Sequence, residues 1–409
     1  MLAPLRIRAF RRLATSYALN ELGWSFGTVS LAILVFARTG SALATTALFL
    51  GSTFVPALLA PALTARLDRL PVRRALPALY VVDAALFAIL AATAGNFRMG
   101  LVLVLVLADG AVAIIGRALT RAAVAAVLKP EDALAPGNKL LNVLFSLGYA
   151  CGPALGGVVV AAAGVRASLL VTSGIFAVMA VTLATARTLP AAGGDEDRSW
   201  RSRLVEGLAY VRAHGTVRRL LTAHGAALTF AAFATPVEVV YATQSIHGGP
   251  GAYGLLLAAW GAGSVLSSVA LARVSLPALV LIPLGAAATG AAFLGMSAAG
   301  TLAVALGAFV LGGLGNGVYY VSVVQALQER IADDMQARVM SMLESTTAAA
   351  YGTGFLAGGA IAAAADARVA LGAAGVGVLV AAAAIVGLLR GDRRAVAQLR
   401  AAVETAATS

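Results

Sequence analysis

Apolar stretches of about 20 residues recur along nearly the whole chain, and this recurrence constrains the fold more than any other feature. About 20 apolar residues are what a helix needs to cross a hydrocarbon core of about 30 Å. Breaks at charge and Gly/Pro clusters place such spans at about 14–37, 41–64, 75–95, 100–122, 139–163, 167–186, 219–243, 251–272, 275–297, 301–324, 339–364 and 369–390. Inside a bilayer the backbone must pair with itself, which leaves helices or closed barrels. The ten-residue alternation of barrel strands is absent from the sequence. With 60% hydrophobic and 12% charged residues, a soluble globule is excluded. The expected fold is an all-α membrane protein of twelve transmembrane helices. Its 44 glycines and 6% aromatic content suit helices whose backbones approach closely.

The net charge of +12 is distributed, and the distribution carries the meaning. Of the 30 lysines and arginines, 25 fall on one side of the twelve spans, in the N-terminal segment, the even-to-odd loops and the tail. Arg38, Arg98, Arg166 and Arg368 fall on the other side, and Arg117 lies within the fourth span. Basic residues gather on the cytoplasmic side of a membrane, so both termini are expected in the cytoplasm, with the chain in the cytoplasmic (inner) membrane. The charge is thereby a topology signal, and no nucleic-acid partner is expected. The first apolar run, from Ala14 to about Ala37, is too long for a signal peptide. Cys151 stands alone within an apolar segment and reads as a small buried hydrophobe.

The long polar connection from Arg187 to Arg218 divides the spans into two sets of six. Gly193, Gly194, Asp195, Glu196 and Asp197 read as flexible linker. Trp200, Leu204, Leu208 and Val211 recur at helical spacing beside Arg201, Arg203 and Arg212, as in a short helix lying on the membrane face. The expected domains are a bundle over 1–186, a linker over 187–218, a second bundle over 219–390 and a tail over 391–409. An offset of 202 residues carries Gly152, Gly156 and Gly157 onto Gly354, Gly358 and Gly359, Arg166 onto Arg368, and Glu131 and Asp132 onto Asp333 and Asp334. The halves therefore read as parallel repeats, and a six-plus-six parallel repeat resembles the layout of major facilitator transporters.

Three motifs extend that resemblance. The fifth span reads Gly148-Tyr-Ala-Cys-Gly152-Pro153-Ala-Leu-Gly156-Gly157. Its glycines flatten one face, and Pro153 removes a helix hydrogen bond. The pattern is similar to the antiporter motif of major facilitator exporters, where, by resemblance, it keeps the outward end of the pathway closed. Between the second and third spans, Thr64-Ala-Arg66-Leu-Asp68-Arg69-Leu-Pro71-Val-Arg73-Arg74 resembles the superfamily's loop motif, with Thr64 and Pro71 where the family has glycines. The resemblance implies a cytoplasmic latch of Asp68, Arg69 and Arg73 with the start of the eleventh span near Arg338. Glu206-Gly-Leu-Ala-Tyr210-Val-Arg212-Ala-His214, Gln325 to Asp333, and Arg338-Val339 resemble the drug/proton antiporter branch that includes macrolide efflux proteins and siderophore exporters. Where that branch carries Gly-Asp in the first span, this chain has Gly23-Trp24, and an acid stands at Glu21.

Ionisable groups within spans mark the chemistry. Such a group costs at least about 2.5 to 3.5 kcal/mol at a helix centre and demands water, a partner or a function. Glu21, Asp83, Asp109, Glu238 and Glu344 qualify. Asp109 lies about nine residues into its span, about 14 Å along a helix axis, and Glu238 and Glu344 stand nearer span ends. In the family the first, fourth, seventh and tenth helices line the cavity, which by resemblance favours Glu21 and Asp109 over Asp83 as proton carriers. Arg117 is about 12 Å along the axis from Asp109, too far for a direct intrahelical pair, and is expected at the inner mouth. Glu238, Asn316, Tyr319 and Glu344 complete the cavity candidates. His214, His224 and His247 lie in a loop, near a helix end and in an outer loop, without metal-ligand spacing. Gly312 to Gly317 lies in an apolar helix and does not read as a phosphate cradle.

The expected activity is not enzymatic and uses no cofactor. It is proton-coupled efflux of small amphipathic organic compounds by alternating access. A siderophore or lipid exporter on the same scaffold is the alternative within transport, and a non-transporting membrane receptor is the alternative outside it. The expected partners are the substrate, protons and the bilayer. Oligomeric state is not readable from the residues, with a monomer as the default.

Overall fold

The computed structural model describes residues 3–59, 71–185, 200–271, 273–274, 276–332 and 335–390. The regular structure among them is helical: α1 (Arg8–Thr39), α2 (Ala42–Leu59), α3 (Val72–Thr93) and α4 (Met99–Leu128), then Leu134–Ala184, in which Gly164 separates α5 (134–163) from α6 (165–184). After these come α7 (Trp200–Ala213), α8 (Gly215–Ala231), α9 (Glu238–Val240, continued by a π turn Tyr241–Ser245), α10 (Gly249–Leu271), α11 (Ala278–Ala298), α12 (Leu302–Gln328), α13 (Gln336–Ala364) and α14 (Ala367–Arg390). Nine candidate spans among the described residues are long and apolar enough to cross a membrane. Large apolar side chains such as Val81, Val104, Val181 and Val380 are more than half exposed, the surface a helix turns to lipid when the hydrophobic effect has nothing to bury it from.

Three local features depart from the expected spans. Gly164 adopts φ 82°, ψ 168°, a conformation open to glycine alone among ordinary residues, and joins α5 to α6 with no intervening loop. The span expected over 219–243 is not one helix: it begins at Gly215, ends at Ala231 and resumes at Glu238. Pro236 explains the gap, because it has no N–H to give and disfavours helical geometry at Thr235. A π turn over Leu50–Phe54 interrupts α2.

The chain divides into two compact units. Unit 1 comprises 1–196 and 248–258, the latter being the first part of α10. Its central seam is α1 on α5: a Cβ on Gly148 would lie 2.6 Å from the Glu21 Cβ, one on Gly152 would overlap Ser25, and one on Gly156 would lie 3.3 Å from the Phe26 Cα. A Cβ on Gly157 would fall 2.7 Å from the Cα of Gly254, so two glycine backbones cross there. Ser30 donates to the Phe26 carbonyl and shares a 2.7 Å hydrogen bond with Ser168. Unit 2 comprises 197–247 and 259–409 and repeats the seam with α8 on α13. A Cβ on Gly354 would overlap Thr229 and one on Gly358 would lie 2.5 Å from the Phe233 Cα. The glycine run of α12 is a second seam, with Gly313 against the Trp260 backbone of α10 and Gly315 against Gly285 and Thr289 of α11.

Candidate functional site

In unit 1 three carboxylates are buried. Glu21 on α1 is 8% exposed, Asp83 on α3 2% and Asp109 on α4 6%. Each stands where a helix face meets neighbours and not lipid. Glu21 rests on Gly148, the first glycine of the α5 motif, and Asn20 Nδ2 donates to Glu21 Oε1 at 3.4 Å. Asp109 borders a pocket with Trp24, Thr28, Ser52, Phe87 and Val106, so α1 to α4 all contribute to its walls. Gly110 beside it lets the Ser52 carbonyl approach α4. Asp83 Oδ1 has no hydrogen-bond partner, and the carboxylate lies within electrostatic reach of Asp109. Arg117 is exposed and within electrostatic reach of both Glu21 and Asp109. The arrangement gathers three buried acids within unit 1, with the exposed Arg117 in electrostatic reach of two of them.

Unit 2 is different in kind. Asn316 and Tyr319 of α12 border a pocket with Ala227, Leu228, Thr289 and Val378. Tyr319 also meets His224, which lies nine residues into α8 and not near its end. His224 is 1% exposed and has a hydroxyl at each ring nitrogen: Tyr319 Oη lies 3.1 Å from Nδ1, and Thr347 Oγ1 3.1 Å from Nε2. Glu238 is buried at the start of α9, and Glu344 is exposed on α13, so the structure does not bring these two to the Tyr319 pocket.

Asp68 and Arg69 lie outside the described residues. Arg73 is exposed in the first turn of α3. Arg338, at the start of α13, pairs with Glu206 of α7 at 2.9 Å. The same helix seats Gly207 against Met342, and the Tyr210 hydroxyl accepts from the Ala332 N–H at 3.4 Å. So α7 is a strut on the start of α13, and the short helix expected from the spacing of Trp200, Leu204, Leu208 and Val211 is present over Trp200–Ala213. Arg368, the counterpart of Arg166 in the repeat, donates to the carbonyls of Ser297 and Ser245 and lies over the Tyr241 ring; Arg166 is exposed.

Solved structures share this architecture. The nucleoside transporter NupG superposes with a TM-score of 0.71 at 12% identity, covering 93% of this chain and 98% of that one. The POT family transporter PepTSo gives 0.72 at 12%, covering 94% and 98%. A bacterial homologue of the iron transporter ferroportin, in an inward-facing state, gives 0.67 at 16%, covering 93% and 98%. At these identities the likeness speaks for the fold. No curated protein sequence matches the chain. The family model described as transmembrane secretion effector matches residues 1–400. With a transporter fold over nine-tenths of its length and that match over nearly all of it, the chain belongs to the transmembrane secretion effectors of the major facilitator superfamily, membrane transporters and not enzymes.

Proposed function

We propose that this transporter exports small amphipathic organic compounds across the cytoplasmic membrane in exchange for protons, with twelve spans, both termini in the cytoplasm and alternating access between two facing states. The observation that carries the reading is the burial of Glu21 and Asp109 within unit 1, with Arg117 in electrostatic reach of both. A carboxylate held in an apolar bundle is costly when charged, so its charge state is bound to its surroundings. A proton that neutralises Asp109 weakens its attraction to Arg117, and loss of that proton restores it. Glu21 adds a mechanical link, because its side chain rests on Gly148 in the α1–α5 seam. Proton binding there changes the charge at the contact between two helices that pack along most of their length.

The walls beside Asp109, among them Trp24, Leu31, Leu48, Phe49 and Phe87, are largely apolar around a water-sized gap, and an amphipathic substrate class suits the surface they would present as the pathway opens. Such walls bind apolar surface, and the few polar groups fix orientation. The test is uptake into inverted proteoliposomes under an imposed pH gradient, with a fluorescent amphiphile as probe. Wild type should concentrate the probe, and Asp109→Asn and Glu21→Gln should retain downhill movement while losing the uphill component. Uphill transport kept by both variants would remove the two acids from the coupling mechanism.

A further inference from the structure

The His224 cluster of unit 2 has a geometry that the proposed exchange does not use. His224, Tyr319 and Thr347 sit at matched depth: nine residues from the first residue of α8, nine from the last of α12 and eleven from the first of α13, about 14 to 17 Å along each axis. The imidazole and phenol rings lie 5.7 Å apart, inclined by 11°. With a hydroxyl at 3.1 Å from each ring nitrogen, the charged ring fixes the direction of both hydrogen bonds and the neutral ring leaves one in each direction according to its tautomer.

A neutral imidazole has one donor and one acceptor. One of the two hydroxyls therefore donates to the ring and the other accepts from it. An imidazolium donates from both nitrogens, so both hydroxyls must point their own hydrogens elsewhere. Thr347 has a local outlet, since a helical threonine can donate to the carbonyl four residues earlier. Tyr319 has another, because it borders the pocket that holds Thr289 and Asn316.

We propose that His224 is the proton-binding residue of unit 2, and that Tyr319 reports its charge by turning its hydroxyl hydrogen from the ring into the pocket. With the ring neutral and Tyr319 donating to Nδ1, the phenol oxygen offers lone pairs to the pocket and accepts from a hydroxyl or amine. With the ring charged, the same oxygen accepts from His224 and offers a hydrogen. Binding of a proton at His224 and binding of a hydrogen-bond donor beside Tyr319 thus oppose each other, which is the relation that exchange of substrate for proton requires. This inference rests on the coupled-export reading above and gives unit 2 a part in it.

The groups around the imidazole leave this switch intact. From α12 come Tyr319 and Tyr320, the latter with its ring 6.5 Å away. From α13 come Thr347, Tyr351 and, one turn before Thr347, Glu344. On α8 itself Arg218 and Arg219 stand in the first turn, where α7 ends with Tyr210 and Arg212, and Glu206 lies a further turn back. The ionisable residues of α14, Arg368 and Arg390, are at its ends, and α11 has none.

The test reads the ring directly. His214 and His247 are exposed, so the double variant His214→Gln, His247→Gln leaves His224 as the sole histidine without disturbing the core. With isotope-labelled histidine in the full chain, the His224 ring signal should titrate within the pH range over which the fold persists. Tyr319→Phe should move its midpoint by about half a pH unit or more, the effect of one lost hydrogen bond. In vesicles, His224→Gln should reduce gradient-driven transport about tenfold while reaching the membrane at wild-type yield. A ring signal flat over that range, or a gradient response equal in His224→Gln and wild type, overturns the assignment of His224 alone. A wild type that shows no gradient-driven transport overturns the export reading, and the transport role of His224 with it, even if the ring titrates.

Discussion

In unit 1 the glycines of α5 seat Ser25 and Phe26 of α1, and in unit 2 the glycines of α13 seat Thr229 of α8 and Ala232 and Phe233 just after it. Gly152 answering to Ser25 and Gly354 to Thr229 gives a shift of 204 residues at one contact, and Gly156 answering to Phe26 and Gly358 to Phe233 gives 207 at the next. The first of these carries Glu21 to Gly225, immediately beside His224. Two seams built on one plan therefore hold an acid in one half and an imidazole in the other. The difference teaches that the repeat specifies how closely the helices approach, while the titratable group placed in the contact is free to differ. In unit 1 that group has an acid-rich neighbourhood with a guanidinium; in unit 2 it has hydroxyls.

Overfilling the seams should give the largest effect and asks whether the two are equivalent. Gly152→Leu and Gly354→Leu should each abolish transport while the protein still inserts, because a leucine in a glycine contact forces the helices apart at a cost of at least about 1 to 3 kcal/mol. Transport assays paired with membrane yield decide it, and normal transport by either variant would break the equivalence. A smaller effect should separate the two repeat arginines. Arg368→Ala removes two charge-assisted hydrogen bonds and should lower stability by about 2 kcal/mol, whereas Arg166→Ala, at an exposed position, should stay within about 0.5 kcal/mol. Thermal unfolding in detergent measures both, and equal shifts would refute the asymmetry. The smallest effect belongs to the strut: Glu206→Gln breaks a half-exposed ion pair with Arg338 and should cost under about 1 kcal/mol, read in the same unfolding assay.

Much of the fold was legible because membrane helices announce themselves by length and apolarity, and the glycine spacing in α5 and α13 pointed to close helix contacts. The interruption after Ala231 was not, since an apolar run hides a break unless Pro236 is given its full weight. Hydropathy starts the seventh span at Arg219 and so puts His224 near a helix end, yet α8 starts at Gly215. Its two partners are 95 and 123 residues away, and no local pattern links residues at such separations. One signal was available: extending the glycine repeat back to the position of Glu21 lands beside His224. The resemblance puts the helix of Asp83 at the periphery, while the structure buries the side chain within electrostatic reach of Asp109. Which face of a helix is buried depends on neighbours that hydropathy does not name.

Gly164 closes the α5–α6 corner with a single residue, and a Cβ added there would meet nothing within 4 Å. The demand for glycine at this corner is therefore one of handedness and not of space. Its φ of 82° and ψ of 168° are the mirror image of ordinary extended backbone, so a D-alanine would fit where L-alanine is strained. A backbone conformation of that hand, adopted at one α-carbon, forms the corner between the helix that carries Gly148, Gly152 and Gly156 and the one that follows it.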